Sequence, residues 1–536
     1  MTDNFKLSRN ERIALIKKQT QWDIVIVGGG ITGAGILKLA SQLGLSVLLL
    51  EKNDFAWGSS SRSSKMVHGG LRYIADGHVA LTVESVKERE HLTSHSQGLV
   101  FNQSFIMSHF KYQFPQPWIF NSLLSVYDFI AGVKQHHYVP QQEFKFLAPN
   151  SKLDKANGGS QFVDAMTDDA RLVLRLLQES QSKQSNVLAI NYLGVDELTK
   201  ENGQVTGVVV KLEDENTPLN IKAKFVINAT GAWTNQFNQT TPKVKIRPLR
   251  GSHILVPNWC LPVASAMSVL HPLDKRPVQI YPWENVTVIG TTDVEHIDNL
   301  KLEPKIDKGE FSYLMQCIKH QFPKIKLTEK DIISTFSGIR PVVTNGRTTK
   351  PSKEKRDHTI WYDKGLINIA GGKLTTFRVI AKQVLDIVYS KLNRPINKWH
   401  FCAFEQNITI VNTDYSNAVL TRLRGNFGAL SNEVLLQSEL MRPISYSNTL
   451  WAEVLWSIKN EQVKHLDDLL LRRTRLGNVL PNGAFEHLDN IKPWVMRYLK
   501  WDQNKWESEV SRYQKIWQTC YSNIAFNNKE AINESV

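Results

Sequence analysis

The stretch that decides the fold is Trp22–Lys52, WDIVIVGGGITGAGILKLASQLGLSVLLLEK. It opens on a run of β-branched residues, Ile24 to Val27, of strand length rather than helix length. Three consecutive glycines follow, then a segment with helical spacing of apolar residues, then a second apolar run, Val47–Leu50, that stops at Glu51. Gly28, Gly30 and Gly33 stand in G-x-G-x-x-G register. The first glycine permits a tight turn, the second lets the backbone approach a pyrophosphate, and the third lets the helix pack closely on the strand. The helix start then presents its positive dipole end to the phosphates. Glu51 lies 23 residues after Gly28, where a carboxylate accepts hydrogen bonds from ribose hydroxyls and repels a 2′-phosphate. Together these features predict a dinucleotide-binding α/β unit.

Two later segments bear on which dinucleotide is bound. Lys224–Thr234, KFVINATGAWT, is a β-branched strand running into Ala229, Thr230 and Gly231. Gly365–Val388, GLINIAGGKLTTFRVIAKQVLDIV, reads as a strand, a Gly371-Gly372 turn and an amphipathic helix. A second helix start suits a flavin better than a nicotinamide. Flavin reduction builds negative charge near N1 and O2, which backbone N–H groups and a helix dipole stabilise. FAD is the expected cofactor.

Composition narrows the class further. The chain has 536 residues, with 42% hydrophobic and 22% charged, which is globular and too long for a single ordinary core. Cys260, Cys317, Cys402 and Cys520 are far apart and form no C-x-x-C pair, so neither a disulfide framework nor a metal ribbon is expected. No metal is expected elsewhere. The first twenty residues contain no apolar core of signal-peptide length. The most apolar window, WIFNSLLSVYDFIAGV, is too short to span a bilayer and contains Asp128, although lying on a membrane stays open. The formal charge is +14, and residues 216–253 hold six cations and no acid. Such blocks attract anionic substrates or lipid headgroups as readily as nucleic acid, and no nucleic-acid partner is expected. The stripe Trp506, Val510, Tyr513 and Trp517 has helical spacing and is expected to be core.

Directly after the second strand, Gly58–Ile74 packs five serines, three cations and a histidine into GSSSRSSKMVHGGLRYI. Its place after Glu51 argues against a simple solvated linker. The segments GGGITGAG, SSSRSSKMVHGGLRY, TDDARLVL, NATGAW, RGSHILVP, IGTTDVE, SGIRPV and GGKLTTFR occur in this order. In order and spacing they resemble segments of the FAD-dependent, respiratory sn-glycerol-3-phosphate dehydrogenases. The resemblance covers about residues 20–395 strongly. Beyond it, DDLLLRRTRLG is similar to part of a helical C-terminal cap.

The resemblance implies a glycine-oxidase-like, Rossmann-type FAD-binding domain interleaved with a mixed-sheet substrate domain. We place the FAD-binding pieces near 20–95, 165–240 and 335–395, the substrate pieces near 96–164 and 241–334, and the cap at 396–536. It also implies that Ser60, Ser61 and Ser64 meet the FAD pyrophosphate and ribityl chain. His68 passes near the flavin ring, and Ala229, Gly231, Gly372, Leu374 and Thr375 complete the cofactor contacts.

The implied reaction converts sn-glycerol 3-phosphate to dihydroxyacetone phosphate by hydride transfer from C2 to FAD. Arg72 and Tyr73 then lie on the substrate side, with Arg72 and Lys373 as anion contacts. His253 is the expected proton acceptor, and Arg340 is expected to fix the C2 oxygen. Relatives generally carry Lys where this chain has Arg250, and an Arg facing the pocket acts as a clamp rather than a base. The implied electron acceptor is a membrane quinone, with the protein held peripherally at the cytoplasmic, inner face of an anionic membrane and a homodimer possible. One alternative is an oxidase that makes hydrogen peroxide, which carries a long insert between SGIRP and GGKLT. Here only 32 residues separate Arg340 from Lys373, which favours the dehydrogenase. A non-enzymatic flavin- or nucleic-acid-binding protein is the other alternative.

Overall fold

Continuous apolar runs form strands buried on both faces. Ile24–Val27 and Val47–Leu50 are buried throughout, as central strands of a parallel sheet covered on both sides must be. The computed structural model describes residues 4–523 apart from 20, 76, 113, 153–155, 183, 213–216, 238–243, 345–357, 396–400, 407 and 412–413. Among the described residues, Gln21–Val27 pairs in parallel with Val47–Leu50 on one side and Leu219–Asn228 on the other. Leu366–Gly371 and Val187–Ile190 extend this parallel core outward. Helices Ile31–Gln42, Asp169–Gln181 and Phe377–Lys391 cover one face and share a single apolar core with it. Their packing is close: a Cβ on Gly33 would stand 2.0 Å from the Gly28 carbonyl oxygen, and one on Gly35 2.6 Å from the Phe377 ring.

A second, mostly antiparallel sheet is built around Val100–Phe110, Ala156–Thr167 and Lys245–Pro257. Ser334–Thr344 belongs here too. It pairs with Lys245–Pro257 along its whole length, Lys245 opposite Thr344 through Leu255 opposite Ser334. Our boundary near 335 put this strand in the FAD-binding part, and the ladder moves it to the substrate sheet. An antiparallel ladder eleven residues long outweighs chain proximity to the flavin-side strand that follows it. Arg340 is thereby anchored in the substrate sheet.

The region beyond 400 is helical and packs on this second sheet. Trp506, Tyr513 and Trp517 of helix Gln503–Cys520 are buried in the shared core and Val510 packs against it, so the aromatic stripe is core. Buried ion pairs tie this region to the flavin-side sheet. Arg472 and Arg473 both reach Asp54, and Arg475 reaches Asp168 at 2.8 Å as well as Asp169. Arg171 pairs with Glu461. Buried charges are tolerated only when paired, which explains the dense arginines of Asp467–Gly477. All four cysteines are free thiols.

Candidate functional site

The glycine turn after Gln21–Val27 opens into a cavity of about 1730 Å³ between the two sheets. Gly28 adopts φ +113°, where side chains are strained, and a Cβ there would sit 2.7 Å from the Ala229 carbonyl oxygen. A Cβ on Gly30 would stand 3.1 Å from Ser60 Oγ. Bare backbone therefore faces the cavity at the start of helix Ile31–Gln42, which carries no side-chain cap at Gly30. Ser60 Oγ accepts the Ile31 N–H at 2.9 Å, satisfying one donor that the helix start would otherwise leave bare. Glu51 Oε2 accepts the Gly29 N–H at 2.6 Å, and Oε1 accepts the Asn53 N–H at 2.7 Å. Burial pushes the Glu51 carboxyl up, and the hydrogen bonds from the Asn53 and Gly29 N–H groups oppose that shift.

Most of the expected residues meet on this wall. Gly28, Gly30, Glu51, Ser60, Ser64, His68, Tyr73, Ala229, Gly231, Arg340, Gly372, Lys373, Leu374 and Thr375 all line the cavity. The Lys373 ammonium stands 3.9 Å from the Tyr73 ring centroid, a cation–π contact that holds the charge at the cavity surface. Arg340 bonds Asp293 Oδ1 at 3.1 Å and Thr291 Oγ1 at 3.1 Å.

Four expected residues stand elsewhere, and a fifth has no described side chain. Gly33 faces Gly28 inside the helix–strand contact, as its role in packing requires. Ser61 is buried behind the wall, its carbonyl accepting from Arg475. Arg250 is not a clamp on the cavity: its guanidinium bonds Glu310 at 2.9 Å and also meets Asp307 and Asp298. Three carboxylates outcompete an open pocket for a buried guanidinium. In the neighbouring basic block Lys224 pairs with Asp23 and Arg247 with Glu295, Lys222 and Lys245 are exposed, and Lys243 lies outside the described residues. His253 is buried one layer back, sharing a 2.9 Å hydrogen bond with the cavity-lining Ser64 and stacking on Phe336 at 4.5 Å. Burial, aided by the Arg340 and Lys65 cations, holds its imidazole well below the usual histidine range, so it is neutral and a weak base. Arg72 lies on the short helix Leu71–Ala75, but its side chain falls outside the described residues.

Sequence reasoning missed Arg276. It lines the cavity and donates to the Asp293 carbonyl at 3.4 Å, so it and Arg340 reach the same residue. Asp293 lies in the IGTTDVE segment, which had carried a resemblance but no role. The cavity lining also includes a group of apolar side chains, Phe105, Met107, Phe120, Leu123 and Phe162. Among the described residues no cluster of His, Cys, Asp and Glu fits a metal ion.

A glycine cradle at a helix start, a half-buried ribose-side carboxylate and a second glycine turn fit an FAD molecule stretched along the cavity. Fold and site thus define a flavin-dependent oxidoreductase. Residues 23–386 match the family described as FAD dependent oxidoreductase, and residues 370–506 the C-terminal domain of alpha-glycerophosphate oxidase. The chain is 32% identical over 500 residues to the aerobic glycerol-3-phosphate dehydrogenase of Staphylococcus aureus, covering 87% of this chain and 89% of that one. The protein belongs to the FAD-dependent oxidoreductase family and, within it, to the aerobic glycerol-3-phosphate dehydrogenases. Its fold is shared with a glycerol-3-phosphate dehydrogenase from Bacillus halodurans complexed with FAD, at TM-score 0.73 and 23% identity over 97% of this chain and 98% of that one. It is also similar to L-alpha-glycerophosphate oxidase from Mycoplasma pneumoniae with FAD bound, at TM-score 0.55 and 18% identity over 72% of this chain and 98% of that one.

Proposed function

We propose that the protein oxidises sn-glycerol 3-phosphate to dihydroxyacetone phosphate and passes the electrons to a membrane quinone. The observation that carries this reading is the convergence of Arg340, Arg276 and Lys373 on the cavity into which the dinucleotide loop opens. A phosphate dianion needs more than one cation, and guanidinium forks match its oxygens. FAD, when bound, supplies the two-electron acceptor for the hydride that leaves C2. Arg340, held by Asp293, fixes the C2 oxygen, while Arg276, Lys373 and Arg72 hold the phosphate. His68 takes the hydroxyl proton, a role supported by its place on the cavity wall in the same short segment as Tyr73. His253, behind Ser64 and kept neutral, orients that serine.

The apolar wall of Phe105, Met107, Phe120, Leu123 and Phe162 supports a lipid-soluble acceptor rather than oxygen. Peripheral attachment to the inner face of the cell membrane accompanies this reading. Among the described residues, no helix is long and apolar enough to cross a membrane.

Anaerobic addition of glycerol 3-phosphate to the holoprotein is expected to bleach the flavin absorbance, while glycerol, which lacks the phosphate, leaves it unchanged. Equal bleaching by both would remove the phosphate site. A stoichiometric yield of hydrogen peroxide in air, undiminished by added quinone, would favour the oxidase.

A further inference from the structure

Strand Pro277–Trp283 runs through the middle of the substrate sheet, between Ala266–Leu270 and Val286–Gly290. Its residues alternate between two faces. Val278 and Ile280 point into an apolar layer on one side, and Gln279 lines the flavin cavity on the other. The carboxamide is held at one end only. Its Nε2 donates to Ser268 Oγ at 3.0 Å, whereas among the described residues nothing donates to Oε1, although that atom is buried. A buried acceptor left bare costs free energy that an aliphatic side chain at the same place would avoid. The cavity is the direction from which a donor can reach it.

Strand register fixes what stands beside this amide. Ser268, Gln279 and Gly290 lie directly opposite one another across three strands, each about 5 Å from the next. Gly290 carries no side chain, and the His253 ring lies over it: a Cβ there would stand 2.1 Å from His253 Cδ2. Thr291 follows, and its Oγ1 accepts from Arg340, the residue assigned to the C2 oxygen. On the far side Ser268 pairs with Met107, where the apolar group begins. Gln279 is thus a polar group set between Arg340 and the apolar part of the lining.

Its chemistry decides which part of a substrate it meets. The lone pairs of a neutral carboxamide oxygen repel a phosphate dianion, which Arg276 and Lys373 attract. A hydroxyl is both donor and acceptor and pairs with such an amide. Glycerol 3-phosphate carries one at C1, on the carbon next to C2.

We propose that Gln279 is a specificity-determining residue, its carboxamide bonding the C1 hydroxyl of glycerol 3-phosphate and so selecting polyol phosphates with a free terminal hydroxymethyl group. The assignment rests on the reaction proposed above and adds the group that reads the end of the substrate opposite the phosphate.

The test is anaerobic rapid-mixing reduction of the holoprotein flavin by glycerol 3-phosphate and by its 1-deoxy analogue of the same C2 configuration, in which a methyl group replaces the hydroxymethyl. The analogue should reduce the parent about ten- to a hundredfold less efficiently, the range for one buried hydrogen bond whose protein partner is left bare. Gln279→Leu removes that partner. It should lose a similar factor with glycerol 3-phosphate and stay close to the parent's efficiency with the analogue. Its FAD content, read from the flavin absorbance, is expected at parent level, and Gln279→Met, of similar length, takes its place if the leucine variant sheds its flavin. A parent reduced equally well by both substrates overturns the proposal and needs no substitution to be seen. So does a variant that loses the same factor on both, because Gln279 then supports the sheet rather than the C1 hydroxyl. A parent flavin that neither substrate bleaches overturns the proposed function, and this assignment with it.

Discussion

Arg340 and Arg276 approach Asp293 from a strand and from a turn, one through its carboxylate and the other through its carbonyl. That arrangement keeps both guanidinium groups beside the cavity, yet their expected effects differ. Arg340→Ala is expected to retain FAD but to slow flavin reduction at saturating glycerol 3-phosphate about a hundred- to a thousandfold, because a donor to a developing oxyanion acts mainly in the transition state, at about 3–4 kcal/mol. Arg276→Ala should instead weaken binding with little change in the saturated rate, since phosphate is held equally before and during reaction. Rapid-mixing anaerobic reduction across substrate concentrations reads both. A parent rate in saturated Arg340→Ala would leave Arg340 as an anchor only. Arg250→Ala should act on stability: it leaves the buried Glu310 carboxylate without its ion partner, a loss of about 3–5 kcal/mol that thermal unfolding would register.

At the scale of elements, the contact between strand Gln21–Val27 and helix Ile31–Gln42 depends on a missing side chain. In an exposed helix, Gly to Ala gains up to about 1 kcal/mol. Gly33→Ala meets a backbone oxygen at 2.0 Å, which cannot swing aside, and overpacking of this kind costs about 1–3 kcal/mol. The clash wins, so Gly33→Ala should lower the melting temperature and release FAD, because the Gly28 turn moves with the helix. A higher melting temperature with full flavin content would mean that the two elements can part without cost. Gly30→Val places a branched side chain against Ser60 and into the cavity, and the purified protein should be colourless.

Across the whole molecule, buried ion pairs join the helical C-terminal region to the flavin-side sheet. The Arg475 guanidinium, with help from Lys65, pulls the Asp168 carboxyl down from 3.8 to about 2, despite its burial. The folded value lies below the unfolded one, so the stabilisation is complete above about pH 4 and is lost as the pH falls toward 2. Its size is about 2 kcal/mol. Asp168→Asn should therefore be less stable than the parent at pH 7, and the gap should close between pH 4 and 2. Denaturant unfolding at fixed pH values measures this, and a pH-independent gap would assign the loss to packing rather than to charge.

The dinucleotide unit and its glycine turn were legible in the sequence because each depends on stereochemistry within about thirty residues, whereas the choice of FAD drew on the later turns at Gly231 and Gly371-Gly372. A glycine at φ +113°, a helix start and a strand-end carboxylate need no distant partner to be recognised. The cap's aromatic stripe was readable for the same reason, its period being local. Placement of Ser334–Thr344, the carboxylates that claim Arg250, the layer of Ser64 in front of His253 and the meeting of Arg276 with Arg340 were decided only in tertiary structure. Each depends on which segments, tens to hundreds of residues apart, come into register, and on which of several carboxylates lies nearest once water is removed. Side-chain chemistry sets what a residue can hold. The pairing of distant strands sets what it meets.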